Sequence, residues 1–142
     1  MRATFRPSTD VGAYRFCHRV RARFADTDAM GVVNHAAYLP YLEEARVEYL
    51  RALGHPYTEM RAEGLDLAVV ELAARYLRPV VFDEVVDVHL APASVRAATF
   101  EIGYLLTVEG EPRLTAVTLH AVTGPDGRPR RCPAWLVEVA RG

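Results

Sequence analysis

The 142-residue sequence contains no lysine, no glutamine and only one asparagine. All 17 basic residues are therefore arginines, and 18 acidic residues bring the formal net charge to −1. Such a chain lacks the strong positive charge that is typical of proteins that bind nucleic acids or anionic membranes. We interpret the arginine bias first as codon usage in a GC-rich genome, and only second as a sign of heat adaptation.

Cysteine, serine and long apolar runs are scarce as well. Cys17 and Cys132 are far apart and fit no metal-ligand spacing, which favours free thiols in a reducing cytoplasm over a disulfide. Ser8 and Ser94 lie outside a Gly-x-Ser-x-Gly elbow, so a serine hydrolase is not predicted. No apolar run reaches the roughly 18 residues of a membrane span, and no glycine-rich phosphate loop is present.

The composition is that of one globular domain spanning residues 1–142. Hydrophobic residues make up 51% of the chain and charged residues 25%, which is enough for a core of ordinary size. The N-terminus lacks the apolar core of a secretory signal peptide, and residues 1–12 are expected to be a short flexible lead-in.

Hydrophobic periodicity predicts a strand, a long helix and four further strands. Residues 14–24 alternate between apolar and polar side chains, as in a half-exposed strand. Residues 38–53 repeat at three- and four-residue steps, and Gly54 and Pro56 end the helix. Short connections between the later strands imply antiparallel pairing. The predicted fold class is α+β, an antiparallel sheet of about five strands with one long helix on one face.

The predicted sheet also has a second apolar face. One face of the strand after the helix is expected to carry Ala68, Val70, Leu72, Ala74 and Tyr76. The opposite face of the sheet is expected to carry Val69, Ala73, Leu77, Leu105, Val117 and Leu119. Because one helix covers only one face, a partner subunit is expected to cover the other.

The stretch ADTDAMGVVNHAAYLPYLEEAR, residues 25–46, concentrates polar side chains between the first strand and the helix. Asp26 and Asp28 suit a turn, because aspartate side chains accept hydrogen bonds from nearby backbone N–H groups. Asn34 or His35 suits the N-cap of the helix. A structural interpretation of the whole stretch is therefore open.

A catalytic interpretation is open as well. An aspartate among Met30, Val32 and Val33 would suit a general base, and the N–H groups at a helix start would stabilise an oxyanion. A carboxylate beside an oxyanion site is typical of hydrolases. A metal site built from Asp26, Asp28 and His35 is the rival, but its spacing matches no known site.

Residues 23–50, RFADTDAMGVVNHAAYLPYLEEARVEYL, resemble the signature of the hotdog-fold acyl-CoA thioesterases. The similarity is to the subgroup of 4-hydroxybenzoyl-CoA thioesterase and the Tol-Pal-associated thioesterases, and the order of elements extends it over about residues 12–141. It implies a sheet wrapped around one long central helix. It also implies a homodimer with a continuous sheet and active sites at the interface, and often a homotetramer.

The resemblance implies roles for particular residues. The second aspartate of the family's Asp-x-Asp falls on Asp28, as nucleophile or as general base on water, which leaves Asp26 to fix the turn. The backbone N–H that polarises the thioester carbonyl falls on His35, where the Tol-Pal-associated enzymes also have histidine. Asn34 instead matches a long-chain acyl-CoA branch, so the motif does not fix the acyl group. Asn34 and Tyr38 are expected to bind the substrate, Tyr38 as part of the acyl pocket.

Basic side chains are needed for the phosphates of coenzyme A, because guanidinium groups bind phosphate well. The candidates are Arg75, Arg78, Arg96, Arg128, Arg130 and Arg131. His89 and His120 lie in predicted strands and receive no role. The sequence thus predicts a cytoplasmic acyl-CoA thioesterase that needs no metal and no cofactor. The alternatives are a hotdog hydratase or dehydratase, and a non-catalytic acyl-CoA-binding module.

Overall fold

The computed structural model describes residues 6–141. The helices and strands are β1 (Phe16–Arg21), α1 (Tyr38–Ala52), α2 (Tyr57–Ala62), β2 (Asp66–Tyr76), β3 (Val85–Val95), β4 (Thr99–Val108), β5 (Glu111–Thr123) and α3 (Ala134–Arg141). Of the expected lead-in, residues 1–5 lie outside the described range, and Val11–Ala13 form a 3₁₀ turn capped by Asp10. None of the described helices is both long enough and apolar enough to cross a membrane.

The five strands form one antiparallel sheet in the order β1-β3-β4-β5-β2. The strands β3, β4 and β5 are consecutive in the chain and adjacent in the sheet, as their short connections predict. The strand β2 follows the helices and lies at one edge, while β1 forms the other edge. The predicted α+β class and the hotdog arrangement of a sheet with one long helix are confirmed.

The helix α1 packs on one face of the sheet through residues spaced three and four apart. Tyr41, Leu42 and Ala45 are buried and belong to the same core cluster as Leu90 and Tyr104 of the sheet. Burying each large apolar side chain contributes roughly 1.5–3 kcal/mol, so this face holds the helix in place. The helix covers nearly all of the predicted range 38–53, and Gly54 with φ of +85° follows its end.

The edge strand β2 has a bulge, which makes the predicted alternation of its side chains wrong. Val69 lies beside His120 of β5, yet Leu72, three residues later, lies beside Thr118 on the same face. Because the pleat has a period of two, the extra residue Val70 reverses the alternation at this point. The expected single face of Ala68, Val70, Leu72, Ala74 and Tyr76 is therefore broken, and Val69 faces the helix side.

The second apolar face also differs from the prediction. Leu105, Val117 and Leu119 are already buried within the chain itself, so they need no partner subunit to cover them. Several of the exposed large apolar side chains lie instead on β2 and at its end. This surface, which we call the β2 edge, consists of Val69, Val70, Leu72, Tyr76 and Leu77.

Candidate active site

The segment between β1 and α1 folds as a short hairpin. Thr27 pairs with Val33, and the N–H of Asp28 donates to the carbonyl oxygen of Val32 at 2.9 Å. At the tip, the N–H of Gly31 donates to the carbonyl oxygen of Asp28 at 3.0 Å. Gly31 has φ of +78°, a left-handed conformation that glycine adopts without steric cost. The hairpin therefore places Asp28 at its exposed tip and leads directly into the helix.

The side chain of Asp28 makes the turn contact that the sequence suggests. Its Oδ1 accepts a hydrogen bond from the N–H of Met30 at 2.8 Å, and the residue is exposed. This bond uses one of the two carboxylate oxygens. The side chain of Met30 is 85% exposed, so a single chain does not enclose Asp28 in the apolar surroundings expected from the sequence.

The helix begins with a 3₁₀ turn, His35–Ala37, that runs directly into α1. Asn34 caps this turn, because its Oδ1 accepts a hydrogen bond from the N–H of Ala36 at 2.8 Å. The predicted cap is thus confirmed for Asn34. The N–H of Ala37 donates to the carbonyl oxygen of Asn34, whereas the N–H of His35 has no hydrogen-bond partner within residues 6–141. It is an open donor at the start of the helix.

Tyr76, at the end of β2, holds His35 from the neighbouring strand. Its hydroxyl donates to the carbonyl oxygen of His35 at 2.9 Å, and the two rings meet edge to face with centroids 4.9 Å apart. Tyr38 packs beneath this contact, and burial raises its pKa. These three residues line a hollow of about 160 Å³ with Arg78. No local pattern in the sequence pointed to Tyr76, because only the fold brings β2 to the helix start.

Asp26 anchors the hairpin to the helix. The carboxylate is buried and accepts hydrogen bonds from the backbone and guanidinium of Arg23, and from the hydroxyl of Tyr41 at 2.6 Å. Burial raises the pKa of Asp26, but the hydrogen bonds from Arg23 and Tyr41 outweigh it and lower the pKa below the ordinary 3.8. This is the structural role expected for Asp26.

The candidate phosphate-binding arginines lie at two ends of the sheet. Arg75 and Arg78 flank the end of β2 next to Tyr76, and Arg78 pairs with Glu111 at 3.0 Å. Arg96 follows the last residue of β3, whereas the segment before β3 is bridged to the hairpin. At about 3.3 Å per residue, β3 separates Arg96 from the hairpin by about 35 Å within one chain. The structure therefore brings Arg78 together with His35 in the same hollow and leaves Arg96 at the other end of the sheet. Arg75 precedes Tyr76 in β2, so its side chain lies on the opposite face of the sheet.

The potential metal ligands found among the described residues are not those of the rival hypothesis. Cys17, Asp87 and His89, on β1 and β3, have ligand atoms that all lie within 4.8 Å of one another. Two of these side chains already have partners, because Arg19 pairs with Asp87 at 2.9 Å and Thr107 contacts His89 Nε2 at 3.0 Å. The hairpin residues form no such cluster in the part of the chain described.

The comparison with protein families covers most of the chain. Residues 22–139 match the family model of the thioesterase-like superfamily. The chain belongs to this superfamily. The resemblance seen in the hairpin and helix motif is therefore confirmed, and so is the enzyme class, a thioester hydrolase.

Three proteins show how far the similarity extends. A hypothetical protein from Aquifex aeolicus has 35% identity and a TM-score of 0.84, with 89% of this chain and 99% of that chain covered. A 1,4-dihydroxy-2-naphthoyl-CoA hydrolase from Picosynechococcus sp. is 31% identical over 131 residues, which is 87% of this thioesterase and 90% of the relative. A thioesterase from Thermus thermophilus, solved with coenzyme A and zinc, has 27% identity and a TM-score of 0.79 over 91% of this chain and 99% of that chain.

Proposed function

We propose that the protein hydrolyses acyl-CoA at the junction of the hairpin and α1. Asp28 acts as general base or nucleophile, and the backbone N–H of His35 stabilises the oxyanion. The observation that carries this proposal is that one hairpin presents an exposed carboxylate and an unpaired N–H at a helix start. An N–H aimed at developing negative charge is among the strongest contributions to acyl transfer.

The chemistry has two forms, and both need Asp28. As a base, Asp28 takes a proton from water, whose oxygen bonds to the thioester carbon; the C–S bond then breaks, and the coenzyme A thiolate takes up the proton. As a nucleophile, Asp28 first displaces the thiolate and forms a mixed anhydride, which water cleaves. In each form the former carbonyl oxygen becomes negative next to the His35 N–H.

We also propose that two copies pair through the β2 edge to form a dimer. An edge strand with exposed apolar side chains is prone to pair with another strand, and such pairing continues the sheet and buries those side chains. In an antiparallel two-fold pairing, the end of β2 in one copy meets the beginning of β2 in the other. The junction beside Tyr76 then lies next to Leu67 and Val69 of the second copy.

The proposal extends to the substrate and to the cellular location. The exposed guanidinium groups of Arg75 and Arg78 suit the phosphates of coenzyme A, and the similarity to a 1,4-dihydroxy-2-naphthoyl-CoA hydrolase makes aromatic acyl groups the first to test. Cys17 and Cys132 are both free thiols, which suits the proposed cytoplasmic location.

The proposal is tested by measuring thiol release from short, long and aromatic acyl-CoAs with Asp28→Asn beside the wild type. Asp10→Asn is a matched control, because Asp10 is also exposed and its Oδ1 accepts the N–H two residues later at 3.0 Å. We expect Asp28→Asn to lose about 100-fold or more of kcat, and Asp10→Asn to keep it. Full activity in Asp28→Asn would contradict the proposal. A shifted double bond without thiol release would instead favour a hydratase.

A further inference from the structure

A cavity of about 390 Å³ lies between the second half of α1 and the strands β2, β4 and β5. Its walls are mainly apolar and include Leu50, Leu67, Val69, Phe100 and Ile102. Val69 is 46% exposed and marks an open side, whereas Phe100 and Ile102 are buried. An apolar cavity of about 150 Å³ already binds benzene, so this one has room for two aromatic rings or a chain of about eight carbons.

One polar group in this cavity has no partner. His120 is 1% exposed, lines the cavity and stacks on Phe100, and its Nδ1 makes no hydrogen bond within the described residues. The Leu67 carbonyl is close enough to favour a protonated ring, yet it does not complete a hydrogen bond to Nδ1. A buried polar atom without a partner is rare in native proteins, because desolvation is then uncompensated.

A relay of hydrogen bonds determines which of the two His120 ring nitrogens carries the proton. Arg46 Nη1 contacts the Tyr104 hydroxyl at 3.3 Å, that hydroxyl contacts Thr118 Oγ1 at 2.7 Å, and Oγ1 contacts His120 Nε2 at 2.8 Å. A guanidinium only donates, so the Tyr104 hydroxyl accepts from Arg46. The pattern in which each buried hydroxyl also donates its own proton runs from Tyr104 to Thr118 and from Thr118 to Nε2. Burial, with a smaller effect from Arg46, lowers the pKa of His120 to about 3, so the ring is neutral. The remaining proton is therefore on Nδ1, which becomes a buried donor on a side chain that lines the cavity.

We propose that this cavity binds the acyl group of the substrate, and that His120 selects acyl groups with an oxygen acceptor near their far end. The inference rests on the proposed thioesterase function. A carbonyl or hydroxyl oxygen of the acyl group accepts a hydrogen bond from the Nδ1–H, and the apolar walls bury the carbons that lead to it.

The proposed dimer explains how the cavity meets the reacting atoms. Within one chain, Leu67 and Val69 lie near the beginning of β2, and Tyr76 with His35 lies at its end. Antiparallel pairing of two β2 strands places the beginning of one beside the end of the other. The thioester held at the hairpin of one copy then directs its acyl group into the cavity of the second copy, so each site needs both chains.

The test compares acyl-CoAs that differ by one oxygen. We would measure kcat/KM for octanoyl-CoA and 7-oxooctanoyl-CoA, whose ketone accepts but does not donate a hydrogen bond. The wild type is expected to prefer the ketone by about tenfold or more. His120→Phe fills the site without a donor and is expected to bring the ratio near one, while His120→Asn, which keeps an N–H donor, retains part of the preference. Equal turnover of both thioesters by the wild type, or an unchanged preference in His120→Phe, would overturn the proposal.

A second measurement does not depend on turnover or on a variant that folds. The ¹⁵N NMR signals of the His120 imidazole in the wild type report which nitrogen carries the proton. We expect a protonated Nδ1 that shifts when 7-oxooctanoate is added and stays unchanged with octanoate. A proton on Nε2, or the same response to both acids, would contradict the role of His120. If no acyl-CoA is hydrolysed but this selective shift appears, the proposed hydrolysis fails while acyl binding by the cavity stands.

Discussion

The hydroxyl of Tyr76 donates to the carbonyl oxygen of His35 across 2.9 Å, which ties the last residue of β2 to the start of α1. The edge strand proposed to join two copies thus holds the residue proposed to stabilise the oxyanion. A change on the β2 edge should therefore affect both association and catalysis. Tyr76 itself is not one of the two groups proposed to act on the thioester, which are the Asp28 carboxylate and the His35 N–H.

Tyr76→Phe is expected to lower kcat with little change in KM. The variant keeps the ring that packs on His35 and removes only the hydrogen bond, whose net value of about 0.5–1.5 kcal/mol corresponds to roughly 2- to 10-fold in rate. Tyr14→Phe is the matched control, because its hydroxyl also donates to a backbone carbonyl, that of Ser8 at 2.7 Å. Steady-state kinetics of both variants check this expectation. An equal loss in both would show that Tyr76 has no particular role in positioning His35.

Tyr41→Phe is expected to destabilise the fold by about 1.5–3 kcal/mol, because it removes a hydrogen bond to the buried carboxylate of Asp26. Urea unfolding at neutral pH measures this free energy. Tyr49→Phe serves as control, since Tyr49 is also buried and its hydroxyl has no hydrogen bond within residues 6–141. A loss of equal size in Tyr49→Phe would assign the effect to packing instead.

The hydrogen bond between Tyr41 and Asp26 also predicts how the free energy of unfolding depends on pH. The folded pKa of Asp26 lies below the unfolded value of 3.8, so its ionised form stabilises the fold above 3.8, and this contribution is lost as the pH falls through the folded pKa. The gap in unfolding free energy between wild type and Tyr41→Phe should therefore be constant above about pH 5 and narrow below 3.8. A gap that stays constant under acid conditions would show that Asp26 is not the acceptor that matters.

Leu72→Arg is expected to weaken the dimer, because it places a charge in the middle of the β2 edge, twice per interface. Light scattering after size exclusion should show a lower mass at micromolar concentration, and activity per chain should fall with it. Val11→Arg is the control, because Val11 is a comparably exposed apolar residue outside β2. A wild type that is monomeric and fully active would contradict the shared site. The same measurement separates a dimer from a tetramer.

Arg78→Ala is expected to raise KM for acyl-CoA by about 2- to 5-fold, as fits one exposed ionic contact. KM for the matching N-acetylcysteamine thioester, which lacks the nucleotide phosphates, should not change. Arg75→Ala should behave in the same way. Arg96→Ala tests the remaining candidate from the sequence, and an increase in KM there alone would place the phosphates at the other end of the sheet.

Local periodicity was sufficient for the elements and for part of the site. The helix from Tyr38 to Ala52 and the succession of strands after it are predicted by the hydrophobic periodicity of short segments. The cap at Asn34 is predicted by the hydrogen-bonding capacity of its side chain. The hairpin motif indicated the superfamily, because its residues are adjacent in sequence. These features depend on neighbours that lie close by along the chain.

The features that were missed depend on residues far apart in the chain. Tyr76 meets His35 across 41 positions, and His120 acquires its buried donor only through a relay that begins on α1 at Arg46. No turn residue in the sequence indicates the bulge at Val70, because an extra valine cannot be distinguished from the other apolar residues of the strand. The burial of Leu105 likewise depends on the tertiary arrangement of the sheet.

The bulge in β2 links two regions that would otherwise be independent. Leu67 and Val69 precede the bulge, and Tyr76 follows it. All three side chains face the helix only because Val70 is an extra residue that reverses the alternation of the strand. Deleting Val70 would restore strict alternation and rotate one half of the strand outward, so that either the cavity or the helix start loses its wall. Insertions and deletions at this position are thus constrained from both ends, and substitutions at Val70 should be tolerated far better than any change in the length of the strand.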